Sequence, residues 1–305
     1  MENMKYGDRK YLSTEQQNIH SHQIDKLNIM EILRLINDED QTITQQVKKV
    51  LPQIEKTVKL AVNSIRTNNR IFYVGAGTSG RLGMLDAAEI PPTFSASREL
   101  FQGIIAGGRE ALIRSIEGAE DQPEDAVHDL KMADLKKGDL VIGIASSSAT
   151  SYVLSALEYA HNIGSPTAYI ICNPQPLVPV KVDSLMAIDV GAEIITGSTR
   201  MKSGTATKMV LNMISTVTMI RLGKVYGNLM VDLQVVNEKL ADRGSRIIEQ
   251  LTDLDYESSK EKLTEAGGSV KTAIVMILKK CTKNEAEELI EENNGFLRKI
   301  IGDID

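Results

Sequence analysis

Arg70-Ile71-Phe72-Tyr73-Val74 runs directly into Gly75-Ala76-Gly77-Thr78-Ser79-Gly80-Arg81, and this junction decides the fold. The first run is short, apolar and rich in β-branched and aromatic residues, as a buried strand requires. The glycines permit a tight turn and a close approach of backbone to a ligand. A helical segment to about Ala88 follows. Strand, glycine turn and helix together form one unit of a parallel sheet. The unit recurs at Gly103-Ile104-Ile105-Ala106, which leads into Gly107-Gly108, and at Asp139 to Ala145, which leads into a serine-rich loop and a helix to His161. Thr167 to Cys172 and Leu185 to Val190 read as two more strands. Five short strands alternating with helices predict a doubly wound, mostly parallel α/β sheet with flanking helices. Ligands of such sheets bind beyond the carboxyl ends of the strands.

Outward from this centre the pattern is helical. Residues 1–20 are polar and aperiodic and read as an arm. Residues 23–36 form a short amphipathic pattern, and Asp40 is placed to cap a second helix in which Ile43, Val47, Leu51, Ile54, Val58, Ala61 and Ile65 recur at spacings of three and four. A long helix is expected from Lys202 to Leu222, ended by Gly223, and another from Met230 to Leu251. Residues beyond Asp253 carry short helical patterns broken at Gly267-Gly268, Thr282 and Asn293-Asn294-Gly295, which we read as a small three-helix subdomain. The expected division is residues 1–40 as arm and lead helix, 41–252 as the ligand-binding domain, and 253–305 as a C-terminal helical subdomain resembling a ubiquitin-associated domain.

Composition narrows the function. The 305-residue chain has a formal net charge of -6, so nucleic acid is a poor partner and a basic footprint is missing. Its 42% hydrophobic content supports a substantial core. Cys172 and Cys281 form no CxxC pair, and the four histidines have no metal-binding spacing, so no metal site is expected. No stretch has the ~18 consecutive apolar residues of a membrane span, and the start of the chain carries no apolar signal region. A reducing, cytoplasmic setting is the expectation.

Three loops suit an anion. In the first, Gly77, Thr78 and Ser79 stand between strand and helix, where free N–H groups and the positive end of a helix dipole favour phosphate. The spacing Gly75, Gly77, Gly80 also matches a dinucleotide loop, but the acid at about the right distance, Glu99, has no strand before it. The second loop, Ser146-Ser147-Ser148-Ala149-Thr150-Ser151, contributes Ser146, Ser147 and Thr150 as hydroxyl donors, with helix capping as the plainer alternative. The third, Thr196 to Thr205, contributes Ser198 and Lys202, with Arg200 beside them; solvated surface cations are the alternative there. Two glutamates also stand out. Glu89 precedes Ile90-Pro91-Pro92, at what reads as a rigid helix exit, and Glu120 ends Glu117-Gly118-Ala119-Glu120. Spacing alone makes both ordinary surface acids.

A resemblance changes their weight. Gly75 to Gly83 followed by Leu85-Asp86-Ala87, Glu89 and Pro91-Pro92-Thr93 resembles the N-acetylmuramic acid 6-phosphate etherases. So do Ile105-Ala106-Gly107-Gly108, Glu117 to Asp121, Thr196 to Lys202, Leu211 to Thr216, Gly223-Lys224-Val225-Tyr226, Asn228 to Asp232 and the early Ile36-Asn37-Asp38-Glu39-Asp40. The likeness spans nearly the whole chain. It implies a homodimeric sugar isomerase (SIS) type fold and cleavage of the lactyl ether of N-acetylmuramate 6-phosphate in peptidoglycan recycling. It also implies Glu89 as the acid that protonates departing lactate, Glu120 as the second acid/base, and no cofactor. An acid in this role must keep its proton near neutral pH, which calls for burial or a like-charged neighbour. A SIS aldose–ketose isomerase or a non-catalytic sugar-phosphate sensor are the alternative readings. The second loop departs from the family pattern, with Ser148 for a glycine, Ala149 for a basic residue and Ser151 for a proline. Ser148 is expected to crowd the phosphate, and the missing cation to weaken its binding.

Overall fold

Ile71, Phe72, Tyr73, Val74 and Gly75 are all buried and form β1, Ile71–Gly75. In the computed structural model, which describes residues 6–233 and 235–303, it is flanked by β2, Phe101–Ile105, and β3, Leu140–Ile144, followed outward by β4, Thr167–Ile171, and β5, Ser184–Ala187. All pairings are parallel, and the order is β2-β1-β3-β4-β5. The expected doubly wound α/β sheet is therefore present. The chain runs outward from β1 to β2 and crosses back to β3, so the topological switch point lies between β1 and β3. Gly75 pairs with Ile144, which brings the loops after these two strands out of the sheet side by side.

Side chains alternate between the faces. Phe72, Val74, Val141, Tyr169 and Ile171 join a buried cluster with Leu130 of α4, Pro123–Met132, and with Tyr152, Val153, Ala156 and Leu157 of α5, Ser151–Asn162. On β5, Ser184 and Met186 face α2, Leu51–Arg66, where Thr57 Oγ1 donates to Ser184 Oγ at 3.0 Å.

Several boundaries differ from the sequence reading. Asp40 caps nothing. Helix α1 runs from Ile29 to Lys49, starting from a capping box of Asn28 and Glu31, and Asp40 lies inside it. The long periodic stretch breaks at Val50, where Pro52 sits in the first turn of α2. Helix α3, Gly77–Phe94, continues past Glu89 and contains Pro91 and Pro92. Glu89 is thus on the body of a helix and not at its exit. The prolines remove the donors that would bond the carbonyls of Ala87 and Ala88.

The arm is fixed along its described part, in short 3-10 turns at Tyr6–Tyr11, Ser13–Glu15 and Ile24–Lys26. Asn173, just after β4, binds it: Oδ1 accepts from Ser13 N–H at 2.9 Å and Ser13 Oγ at 3.0 Å, and Nδ2 donates to Thr14 Oγ1 at 3.3 Å. Asn18 Nδ2 donates to the Ala192 carbonyl, and Ser21 Oγ to that of Ile194. The arm's first five residues, Met1 to Lys5, lie outside the described residues.

The chain divides into two compact units. One comprises the residues through Ala88 together with Glu99–Ser215; the other comprises Glu89–Arg98 and the residues from Thr216 onward. Helix α6 is Lys202–Arg221. In the second unit α7, Glu238–Leu251, starts later than its pattern suggested. Four helices follow Asp253 where three were expected: α8, Tyr256–Glu265; α9, Val270–Lys279; α10, Lys283–Glu292; and α11, Leu297–Ile301. A five-residue helix is too short to show periodicity. Ile247, Ile248 and Leu251 of α7 share one apolar cluster with Leu263, Val270, Ile274, Ala286 and Leu297. At its centre the buried Lys271 ammonium donates to the carbonyls of Gly223 and Gly295, at 2.9 and 2.8 Å, and to Asp232. Burial pushes its pKa down against the pull of Asp232. Gly223 has φ +77°, and a Cβ there would sit 2.9 Å from the Gly295 carbonyl, so only glycine suits the position.

Candidate active site

The first loop meets its expected geometry. Gly77 adopts φ +54°, with nothing within 4 Å of where a Cβ would lie, so the loop is open above it. Gly80 is pressed against the strand: a Cβ would come 2.6 Å from Ile105 Cγ1 and 2.7 Å from the Gly75 carbonyl oxygen. That contact seats the start of α3 directly over β1. The N–H groups of Gly77, Thr78 and Ser79 then fall in the helix's first turn, where no preceding helical carbonyl can receive them. Ser79 is buried and Thr78 half-buried.

Glu120 is exposed, in a 3-10 turn, Ala119–Asp121, between β2 and α4. It lines a cavity of about 170 Å3 whose opposite wall is Ala76, Gly77 and Arg81. Ser115 and Glu117 complete the polar lining, with Ser115 Oγ donating to Glu117 Oε1 at 3.0 Å. Arg81 Nη2 donates to the Arg114 carbonyl at 3.1 Å. Glu120 and Gly77 are thereby brought together. Glu89 is exposed on α3 and falls in the second compact unit, so neither glutamate has the burial expected of an acid that keeps its proton near neutral pH.

Comparison with known proteins identifies the family. The chain is 50% identical over 290 residues to an N-acetylmuramic acid 6-phosphate etherase of Geobacillus sp. (strain WCH70), covering 95% of this chain and 98% of that one. It is 47% identical over 296 residues to an enzyme of the same name from Clostridium beijerinckii, covering 97% of each. The chain belongs to the N-acetylmuramic acid 6-phosphate etherase family. Residues 53–161 also match the N-terminal SIS domain of glucokinase regulatory protein. A Bacteroides fragilis phosphosugar isomerase structure, described as putative, aligns at a TM-score of 0.49 and 22% identity over 64% of this chain and 91% of that one.

The second loop differs from its expected form in this etherase-family chain. Ser148 does not crowd the opening. It takes the left-handed conformation at φ +58°, and its fully buried Oγ accepts the Leu177 N–H at 2.8 Å. Ala149 is also fully buried. Ser146 and Ser147 are half-buried and Thr150 is buried. Asn173 Nδ2 donates to the Ser146 carbonyl at 2.8 Å, which ties this loop to the arm through one side chain.

The third segment is occupied from within. Glu193, fully buried, accepts the N–H groups of Lys202 at 2.9 Å and Ser203 at 3.0 Å, and Ser203 Oγ at 2.8 Å. Lys202 is a buried residue whose Nζ donates to Glu39 Oε2 at 2.7 Å, and His20 Nδ1 lies 2.7 Å from Glu39 Oε1. Burial alone would raise Glu39. Hydrogen bonds to His20, Lys202 and Asn18, with the Lys202 charge, hold it below the usual carboxylate range. Burial raises neighbouring Asp40, partly offset by Lys202. Ser198 is half-buried and Arg200 exposed. The first turn of α6 lies beside the first loop, with Thr78 Cγ2 3.6 Å from a Cβ position on Gly204.

Sequence reading missed Glu193, Asn173 and the pairing of Glu39 with Lys202, because nothing in local pattern marks a loop acid as the cap of a helix nine residues later. Cys172 is fully buried, as its apolar context suggested, and burial pushes its thiol up to about 11. Among the described residues no group of three or more His, Cys, Asp or Glu is placed to hold a metal. No described helix is long and apolar enough to cross a membrane.

Proposed function

We propose that this protein cleaves the D-lactyl ether of N-acetylmuramate 6-phosphate to N-acetylglucosamine 6-phosphate and D-lactate, as a carbon–oxygen lyase of peptidoglycan recycling. The observation that carries the reading is Glu120 facing the glycine loop across one cavity, in a chain about half identical to relatives of that name.

An ether oxygen on C3 is a poor leaving group. With the sugar open as its aldehyde, the C2 proton lies next to a carbonyl and can be removed. Its electron pair forms the C2–C3 double bond as the C3–O bond breaks, and the departing oxygen takes a proton to give lactate. Water then adds across the double bond, restoring a hydroxyl at C3 and a proton at C2. Glu89 supplies the proton to lactate and Glu120 is the second acid/base; each placed group contributes ~10²–10⁴-fold. Gly77, Thr78, Ser79, Ser146, Ser147 and Thr150 receive the phosphate at the switch point. Lys202 and Ser198 flank it, with Lys202 acting from its pair with Glu39. Substrate handling falls within residues 41–252 on this reading, with 1–40 forming the lip of the site and 253–305 outside the chemistry.

The working form is a homodimer in the cytoplasm. Exposed Ile113 beside the cavity and exposed Ile29, Met30 and Leu33 on α1 support a covering partner. The test is D-lactate release from purified N-acetylmuramate 6-phosphate, with Glu89→Ala run alongside. Lactate from the wild type and none from the variant is the expected result. No lactate from either, with the sugar phosphate still bound, leaves a sensor. Sedimentation of the wild type reads the dimer.

A further inference from the structure

On the etherase reading, the substrate presents a second anion, the carboxylate of the lactyl group, remote from its phosphate. We propose that Arg81 binds this carboxylate and sets the preference for an ether-linked hydroxy acid.

The cavity lined by Glu120 carries few charges. Its ionisable lining groups are Arg81, Glu117 and Glu120. Two carboxylates alone repel any anion, and Arg81 is the one cationic side chain among the described lining residues to offset them. The same two carboxylates make the cavity a poor home for a phosphate dianion, which the open glycine loop and the hydroxyls of the second loop serve better. Arg81 is also held in place for the task. Its hydrogen bond to the Arg114 carbonyl fixes the guanidinium at the rim and uses one of its five N–H donors. The planar fork suits a carboxylate bidentately, which an ammonium cannot match. Size agrees. About 170 Å3 accommodates a three-carbon hydroxy acid and falls below the volume of pockets that enclose whole drug-sized ligands. Glu120 and Arg81 on one cavity then place an acid/base and the leaving group's anchor side by side.

The test compares ligands with and without the lactyl group on Arg81→Met and Arg81→Lys. Three quantities are measured: KM for N-acetylmuramate 6-phosphate, inhibition by D-lactate, and Kd for N-acetylglucosamine 6-phosphate. The expected result for Arg81→Met is a rise in KM of roughly 10- to 100-fold, loss of D-lactate inhibition and an unchanged Kd for the lactate-free sugar phosphate. Arg81→Lys falls between wild type and Arg81→Met. Intact binding of N-acetylglucosamine 6-phosphate also reports that each variant is folded; if Arg81→Met fails this check, Arg81→Lys decides. Equal weakening of both sugar phosphates overturns the proposal and assigns Arg81 to the phosphate. Unchanged KM and unchanged D-lactate inhibition overturn it and leave Arg81 a strut to Arg114. A wild type that releases no D-lactate fails at the etherase reading itself, before Arg81 is tested.

Discussion

Helix α3 begins Gly77-Thr78-Ser79-Gly80, and α6 begins Lys202-Ser203-Gly204-Thr205, each after a loop rich in glycine and hydroxyls. By composition both are anion sites. In the fold they have opposite states. The start of α3 faces open space at Gly77 and borders the cavity that holds Glu120. At α6 the Glu193 carboxylate already accepts two backbone N–H groups and a hydroxyl. One helix end is left for a ligand, and the other is closed by the protein's own anion. On the proposed function the open end receives substrate, while the Glu193 contacts make the closed end a stabilising element, even though Thr78 lies against Gly204.

The largest effect expected from this contrast is on turnover. Glu120→Gln is expected to lower D-lactate release by ~10²–10⁴-fold while leaving the Tm in place, since the side chain is exposed. Full activity in that variant breaks the assignment of chemistry to the α3 end. The wild-type rate should also rise and fall with pH, and a flat profile between about pH 5 and 9 opposes a split pair of acids.

At α6 the loss should appear in stability. Glu193→Ala is expected to cost about 3 kcal/mol in urea unfolding, because it strands buried donors. Glu193→Gln keeps an acceptor and should lose less. Inorganic phosphate that stabilises Glu193→Ala but not the wild type would sharpen the contrast, showing the same helix end opened by removing its plug.

Gly77→Ala probes the open end more gently. A left-handed φ costs a non-glycine residue about 1–2 kcal/mol, so the Tm should fall slightly and the KM should rise. A large stability loss with an unchanged KM would recast the loop as structural.

The smallest expected effect is the acid response of the Lys202 pair. The folded-state pKa of Glu39 is lowered, so its contribution is complete above its ordinary value near 4.5 and is lost as pH falls through the lower folded value. Glu39→Gln should therefore be less stable than wild type at neutral pH, and the gap should narrow as pH drops below 4.5. A gap that widens in acid reverses the sign and refutes the pairing.

Much of the fold was legible in local pattern. Five apolar runs predicted five parallel strands because a doubly covered sheet leaves no polar alternation to obscure them. The glycine loop was legible because Gly77 and Gly80 answer to backbone constraints that few other residues meet. Helix boundaries were less so. Asp40 looked like a cap, while Asn28 with Glu31 performed that task twelve residues earlier. Pro91 and Pro92 looked like a stop, yet α3 runs through them. Ser148 looked like an obstruction, and only the folded loop shows its hydroxyl turned to Leu177.

By itself the sequence determined the α/β class, the strand–loop–helix unit with its glycine turn, and the family. Those properties are carried by residues near one another in the chain. Tertiary structure alone decided which helix end stays open, where Lys202 spends its charge, and that Glu120 and Arg81 share a cavity with Gly77. These depend on groups from separate segments, Glu39 with Lys202 and Arg81 with Arg114, and the buried Lys202 ammonium takes the partner that the fold delivers to it.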